Sequence, residues 1–208
     1  MSLDFAEVVV GMLEVNCYVL WDTDTLKAAI IDPGDDIDDI MRVVDSRGLD
    51  VEWILLTHGH FDHTFRVSQI AQHYNAKIGM QALDLQLPIQ TLALGEPFYN
   101  SAQFVMFEVT DLLNDGDVIK LGESEIKIMH TPGHSQGGLC FVTSAGIFSG
   151  DTIFAGSVGR SDFPGGSHEQ LIESIESKIM ILDDSTRLFP GHGPMTTVGY
   201  ERESNPYL

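Results

Sequence analysis

Three histidines and one aspartate are spaced H-x-H-x-D-H in the stretch Trp53-Ile54-Leu55-Leu56-Thr57-His58-Gly59-His60-Phe61-Asp62-His63. The apolar run Trp53 to Leu56 has the length and composition of a buried strand, so the histidines begin where the strand stops. In extended backbone, residues two apart share a face. His58 and His60 can therefore converge on one point while Asp62 and His63, a turn later, aim at a second. Gly59 frees the backbone to bend between them. With only 8 His in 208 residues, three in this frame are not an effect of composition. Neutral imidazole nitrogen and carboxylate oxygen together suit zinc or iron, and they fit Ca²⁺ badly.

Working outward, three more ligand-type residues stand just beyond apolar runs. Thr131-Pro132-Gly133-His134 follows Ile126 to Met129, and Phe189-Pro190-Gly191-His192 repeats the pattern after Arg187. Asp151 follows Gly146 to Gly150 in the same way. Ligands at strand ends beside glycines are held by rigid elements yet stay open to a cleft, so four strands can deliver all seven to one rim. A structural zinc site is closed by four ligands, frequently cysteines. A set of seven His and Asp with neither Cys17 nor Cys140 points instead to an open, catalytic site.

Around these positions the chain reads as two similar αβ halves. Strand runs at Phe5 to Val10, Asn16 to Trp21 and Ala28 to Ile31 form a meander, with Asp22 to Thr25 as a turn. Ile37, Ile40, Met41 and Val44 fall at helical spacing, with Asp35 or Asp36 as N-cap and Gly48 at the exit. Val67, Ile70, Ala71 and Tyr74 mark a second helix. Residues 88–103 lack periodicity and read as an irregular excursion over a pocket. Strands return at Val118 to Leu121, Glu125 to Met129, Leu139 to Val142 and Gly146 to Phe148. A capping box of Ser167 and Gln170 opens a helix over 168–182, and Arg187 to Phe189 is a last short strand. The expectation is one α/β domain over 1–208, with two packed sheets and helices outside.

Composition narrows the function. At 43% apolar and 20% charged residues the chain is an ordinary folded protein. Its 11 Lys and Arg against 31 Asp and Glu give a net charge of -20, which repels a phosphate backbone or an anionic membrane, so neither is expected as a partner. The start lacks the features of a secretory leader, and no run approaches the length of a membrane span. Two cysteines form no disulfide framework, and a cytoplasmic protein is expected.

H-x-H-x-D-H followed by His134, Asp151 and His192 resembles the metallo-β-lactamase superfamily, whose fold is a four-layer αββα sandwich. Gly150-Asp151-Thr152-Ile153-Phe154-Ala155-Gly156, Gly159-Arg160-Ser161-Asp162-Phe163 and Pro190-Gly191-His192-Gly193-Pro194 resemble its glyoxalase II group, in particular the short bacterial members. The resemblance implies one metal site from His58, His60 and His134 and a second from Asp62, His63 and His192, with Asp151 bridging. It also implies hydrolysis of a small thioester such as S-lactoylglutathione by metal-bound hydroxide, with Asp62 orienting the hydroxide and accepting its proton. Zn²⁺, one or two per chain, is the expected cofactor, and Fe²⁺ or Mn²⁺ suit the same donors. Full-length glyoxalase II has a C-terminal helical domain that supplies much of its glutathione site, whereas here the chain runs only 16 residues past His192.

The alternative in the same fold is an iron-dependent persulfide dioxygenase, which resembles this chain in its Gly-Arg-x-Asp-Phe stretch. It holds a single iron through residues matching His58, His134 and Asp151, which leaves Asp62, His63 and His192 idle. Arg160 is a candidate for steering an anionic substrate, although an ion pair with Asp162 is its simpler role. Phe154, with Phe61 and Phe163, is a candidate pocket wall or core residue. His73 and His168 read as surface residues, and His130 as either a satisfied strand-end histidine or one that orients a ligand. The acidic run Asp35 to Asp39 complements a helix N-terminus and lacks the spacing of a calcium loop.

Overall fold

Side-chain alternation sorts the apolar residues of this chain onto opposite faces of two sheets. The computed structural model describes residues 2–96 and 98–208. The first sheet holds β1 (Leu3–Val10), β2 (Val15–Asp22), β3 (Lys27–Ile31), β4 (Asp50–Leu55), β5 (Lys77–Met80) and β6 (Asp111–Leu112) in spatial order, antiparallel from β1 to β3 and parallel from β3 to β6. Helices α1 (Ile37–Arg47), α2 (Phe61–Thr64) and α3 (Val67–Tyr74) lie in the crossovers.

The second sheet contains β7 (Val118–Leu121), β8 (Ser124–His130), β9 (Leu139–Thr143) and β10 (Gly146–Gly150) as an antiparallel meander. A small hairpin of β11 (Ile153–Phe154) and β12 (Ser157–Val158) follows, then β13 (Arg187–Pro190), parallel to β10, and β14 (Thr196–Thr197) at the edge.

Strand β2 is buried on both faces, which explains its near-continuous apolar run. Cys17, Val19 and Trp21 face outward under α1 and α3, whose Ile40, Val44, Val67 and Ile70 complete that layer. Tyr18 and Leu20 face inward with Ile31, Leu55, Phe141, Phe148 and Phe189 in the core between the sheets. On β4 a bulge at Glu52 lets Val51 and Ile54 share the outer face, since Ala28 pairs with Val51 but Ala29 with Trp53. Cys140, Ile147 and Leu188 form the outer layer of the second sheet with Leu171, Ile175 and Ile179. The result is four layers, αββα, as the sequence led us to expect.

Three details differ from the sequence reading. Within 88–103, of which residue 97 lies outside the described residues, the structure has short helical turns: α4 (Leu87–Thr91) and 3₁₀ turns at Leu92–Gly95 and Ser101–Gln103. Their burial is one-sided and too short for periodicity to register. The helix over 168–182 is α5 (His168–Ser174) continued by a π-turn at Ile175–Ile179. Ser167 does cap it by accepting from Gln170 N–H, but the reciprocal half of a capping box is missing, because Ser167 N–H donates to Gly133 O. Asp36 occupies the N-cap position of α1 with φ 46° and directs its carboxylate to Gly11 N–H instead. The terminal helix α6 (Val198–Ser204) and strands β5 and β6 lie where the sequence offered no pattern. Cys17 and Cys140 are free buried thiols, and among the described residues no helix is long and apolar enough to cross a membrane.

Candidate metal centre

Strand direction brings the ligand-type residues together. β8 and β10 point the same way because antiparallel β9 lies between them, and β13 is parallel to β10. Their C-terminal ends carry His134, Asp151 and His192 to one edge, where the His58–His63 stretch arrives from β4. Thr57 O accepts Leu139 N–H at 2.7 Å and locks the two sheets together at that point.

His58, His60 and His134 form one cluster of converging ligand atoms, and Asp62, His63 and His192 form another. In the first, His134 Nε2 lies 2.9 Å from His60 Nδ1 and 3.3 Å from His58 Nε2. In the second, His63 Nε2 and His192 Nε2 are 3.3 Å apart, and Asp62 Oδ2 lies 3.6 Å from His192 Nε2. Asp151 stands between them: Oδ1 is 3.5 Å from His63 Nε2, and Oδ2 is 3.6 Å from His134 and 3.7 Å from His192. The seven side chains named from the sequence therefore meet in one basin.

Residues 10–192 match the metallo-beta-lactamase superfamily. The chain belongs to that family. A hydroxyacylglutathione hydrolase, GloC of Haemophilus influenzae, is 36% identical over 206 residues, covering 96% of this chain and 95% of that protein. The crystal structure of the B3 metallo-beta-lactamase BLEG-1 is 33% identical, with a TM-score of 0.88 over 99% of both chains. TTHA1623 in a di-iron-bound form is also 33% identical, with a TM-score of 0.86 over 98% of this chain and all of that one. Proteins of this superfamily bind divalent metals, and the residues present here fit such ions. Asp151 Oδ1 is a buried carboxylate oxygen with no hydrogen-bond partner, which is costly unless a cation faces it.

The outward nitrogens of the ligand rings are held by oxygen acceptors. His63 Nδ1 lies 3.0 Å from Asp32 Oδ2, His134 Nδ1 2.6 Å from Arg160 O, and His192 Nδ1 2.9 Å from Leu13 O. Each contact puts a proton on Nδ1 and leaves Nε2 facing the basin. His58 Nδ1 meets Thr57 Oγ1 at 3.0 Å, and that hydroxyl donates in turn to Asp32 at 2.5 Å.

Electrostatics divide the basin. Burial, and then the neighbouring histidines, push His58 below the ordinary imidazole value; His60 is lowered to about 3 by burial and His134. These rings are neutral donors. In the other half, burial opposes charge, but the carboxylates win: Asp151, Asp62 and Asp32 raise His63 to about 10, and Asp62 and Asp151 raise His192. Burial likewise works against ionised Asp62, yet His63 and His192 hold it below the usual carboxylate range. This half favours positive charge among its nitrogens and oxygens.

Close approach is made possible by glycine. A Cβ on Gly191 would lie 2.2 Å from Asp151 Oδ1, and one on Gly159 would strike Asp151 O. Asn16 Nδ2 and Tyr18 OH both donate to Pro190 O, fixing the loop that carries His192.

Several of these supporting residues escape a reading of motifs. Asp32 accepts Thr57 N–H, Thr57 O–H and His63 Nδ1–H, and the strand-end placement that marks Asp151 also marks Asp32. Asp84 is buried and accepts Gly59 N–H, Ser135 O–H and Gly137 N–H, joining the His58–His63 loop to the His134 loop. Burial raises its pKa, and those three bonds pull the other way. No local signal marks Asp84 or Asn16. His73 and His168 are exposed, and His130 Nε2 bonds Gln136 O, apart from the basin. Arg160 does pair with Asp162, at 2.8 and 2.9 Å, and Phe154, Phe61 and Phe163 all line the cavity over the centre.

Proposed function

We propose that this protein is a metal-dependent hydrolase of small thioesters, of the hydroxyacylglutathione hydrolase type, with S-lactoylglutathione among its substrates. The observation that carries the reading is the pair of three-ligand clusters with Asp151 between them. His58, His60 and His134 would hold one ion, and Asp62, His63 and His192 another, with Asp151 shared. The 36% identity to GloC supports the thioester assignment. The di-iron form of a relative at 33% identity supports occupancy by two ions. Zn²⁺ is the proposed cofactor, and Fe²⁺ and Mn²⁺ fit the same donors.

A divalent ion held there supplies Lewis acidity, lowering the pKa of water toward neutrality and polarising a carbonyl. Asp62 stays ionised and is partly open to the cavity, so it can orient the attacking water and accept its proton. A carbon–oxygen bond forms at the acyl carbon, the carbon–sulfur bond breaks, and the proton goes to the leaving thiolate. Thiolates leave readily, so the absence of a strong general acid from this scheme is no obstacle. Phe154, which packs edge-on against His192, is proposed as a substrate contact and Arg160 as a second. The two free buried thiols support a cytoplasmic location.

Persulfide dioxygenation remains the rival chemistry of the fold, but it would leave the assembled Asp62, His63 and His192 cluster unused. Metal analysis, S-lactoylglutathione hydrolysis and oxygen uptake on one sample separate the two. Hydrolysis with two metals per chain is the expected result. One iron per chain with oxygen uptake on glutathione persulfide, and no hydrolysis at any metal loading, overturns the proposal.

A further inference from the structure

The cavity above the metal centre, about 700 Å³, is walled by Leu13, Phe61, Leu94, Phe98, Phe154 and Phe163. That volume is enough for a small ligand. Leu94 and Phe98 are large apolar side chains left 49% and 43% exposed at its rim, a cost that bare solvent does not repay. Leu94 sits on the 3₁₀ turn Leu92–Gly95, and Phe98 adjoins Tyr99, which packs with Phe61 and Phe65, so the wall is built into the fold.

Outside the ligand-type residues, the polar groups of the cavity are already engaged. Thr91 Oγ accepts Phe61 N–H and donates to Leu87 O. Apart from the ligand-type residues, Arg160 is the only charged side chain lining the cavity among the described residues. Its guanidinium makes a two-pronged ion pair with Asp162 and lies 3.8 Å from the centre of the Phe163 ring, so it presents a neutralised, flat surface. A glutathione conjugate brings two carboxylates and one ammonium. Nothing unpaired in this cavity answers the carboxylates, and the net charge of -20 repels them.

We infer that the site prefers uncharged thioesters with an apolar chain over glutathione conjugates of short hydroxy acids. This rests on the thioesterase reading and narrows it: S-lactoylglutathione is turned over, but it is not the substrate the walls are shaped for. The chain lies against Phe98, Leu94 and Phe61 and displaces water from those apolar walls as it docks.

Three esters test this on the metal-loaded protein: S-hexanoyl-2-mercaptoethanol, S-hexanoylglutathione and S-lactoylglutathione. The expected kcat/KM for either hexanoyl ester exceeds that for lactoylglutathione by about tenfold or more, as burial of extra methylenes requires. Removing the peptide from the hexanoyl ester costs nothing. Leu94→Ser and Phe98→Ser, both at exposed positions that the core does not need, each shrink the hexanoyl advantage about threefold or more. Calorimetry with the uncleavable 2-(hexylthio)ethanol and S-hexylglutathione gives a readout free of turnover, and equal or tighter binding of the uncharged thioether is expected. Lactoylglutathione as the best ester, tighter binding of S-hexylglutathione, or an unchanged ratio in both variants overturns the preference and leaves the thioesterase reading intact. Failure to cleave any of the three at full metal loading overturns the thioesterase reading itself.

Discussion

Asp32 shows how much of the metal centre rests on a residue outside the seven that the sequence names. Its carboxylate takes three donors at once, and one of them fixes the tautomer of His63. The backbone there is left-handed, φ 51°, a conformation that Asn tolerates nearly as well as Asp. Asp32→Asn should therefore fold, but it places an amide N–H₂ against donors. The expected loss in metal affinity is about 10- to 100-fold, read by competition with a chromogenic chelator. Unchanged affinity would mean that His63 needs no orienting partner.

Between elements, two carboxylates act as struts. Asp84 ties the loop after β4 to the loop after β8, and Gly59 and Gly137 must lack side chains for it to fit. Asp84→Ala strands three buried donors, for an expected loss of about 3 kcal/mol in urea unfolding. A loss below about 0.5 kcal/mol would show that the donors find other partners. At the far end of β2, Asp22 accepts Ser124 O–H from the start of β8 and Thr25 N–H and O–H, and these bonds lower it from 3.8 to about 2. Because the folded value lies below the unfolded one, the stabilisation is fully present above the ordinary carboxylate value and is lost as pH falls toward the folded value. The stability gap between wild type and Asp22→Asn should close as pH is lowered from 5 to about 2. A gap that stays constant would rule out this linkage.

For the molecule as a whole, metal and fold are coupled. The ligands come from both sheets, so an ion bound by the native basin finds no comparable site in the unfolded chain. Free Zn²⁺ at about 100 times its Kd should add about 2.7 kcal/mol, raising the melting midpoint by about 5 to 10 °C for a chain of this length. A melting curve unmoved by Zn²⁺, Fe²⁺ and Mn²⁺ would show that no ion binds the native state. Chelated protein should be inactive toward thioesters and recover on metal addition.

Local chemistry in the chain determines what each segment can be. A continuous apolar run from Cys17 to Trp21 makes a strand buried on both faces, and ligand-type residues set just past apolar runs place His58, His134, Asp151 and His192 at strand ends. Such properties need only neighbours along the chain, so they are legible without coordinates. The helical turns at Leu87–Thr91, Leu92–Gly95 and Ser101–Gln103 were not, because short turns buried on one side carry no period. Tertiary structure alone decided the contacts between distant segments: Asp84 under both histidine loops, Asn16 on the His192 loop, and Leu13 O on the ring of His192, 179 positions away. It also set which apolar side chains face the cavity. Those depend on which surfaces the two sheets bring face to face, a choice made by the burial energy of the entire core and recorded at no single position.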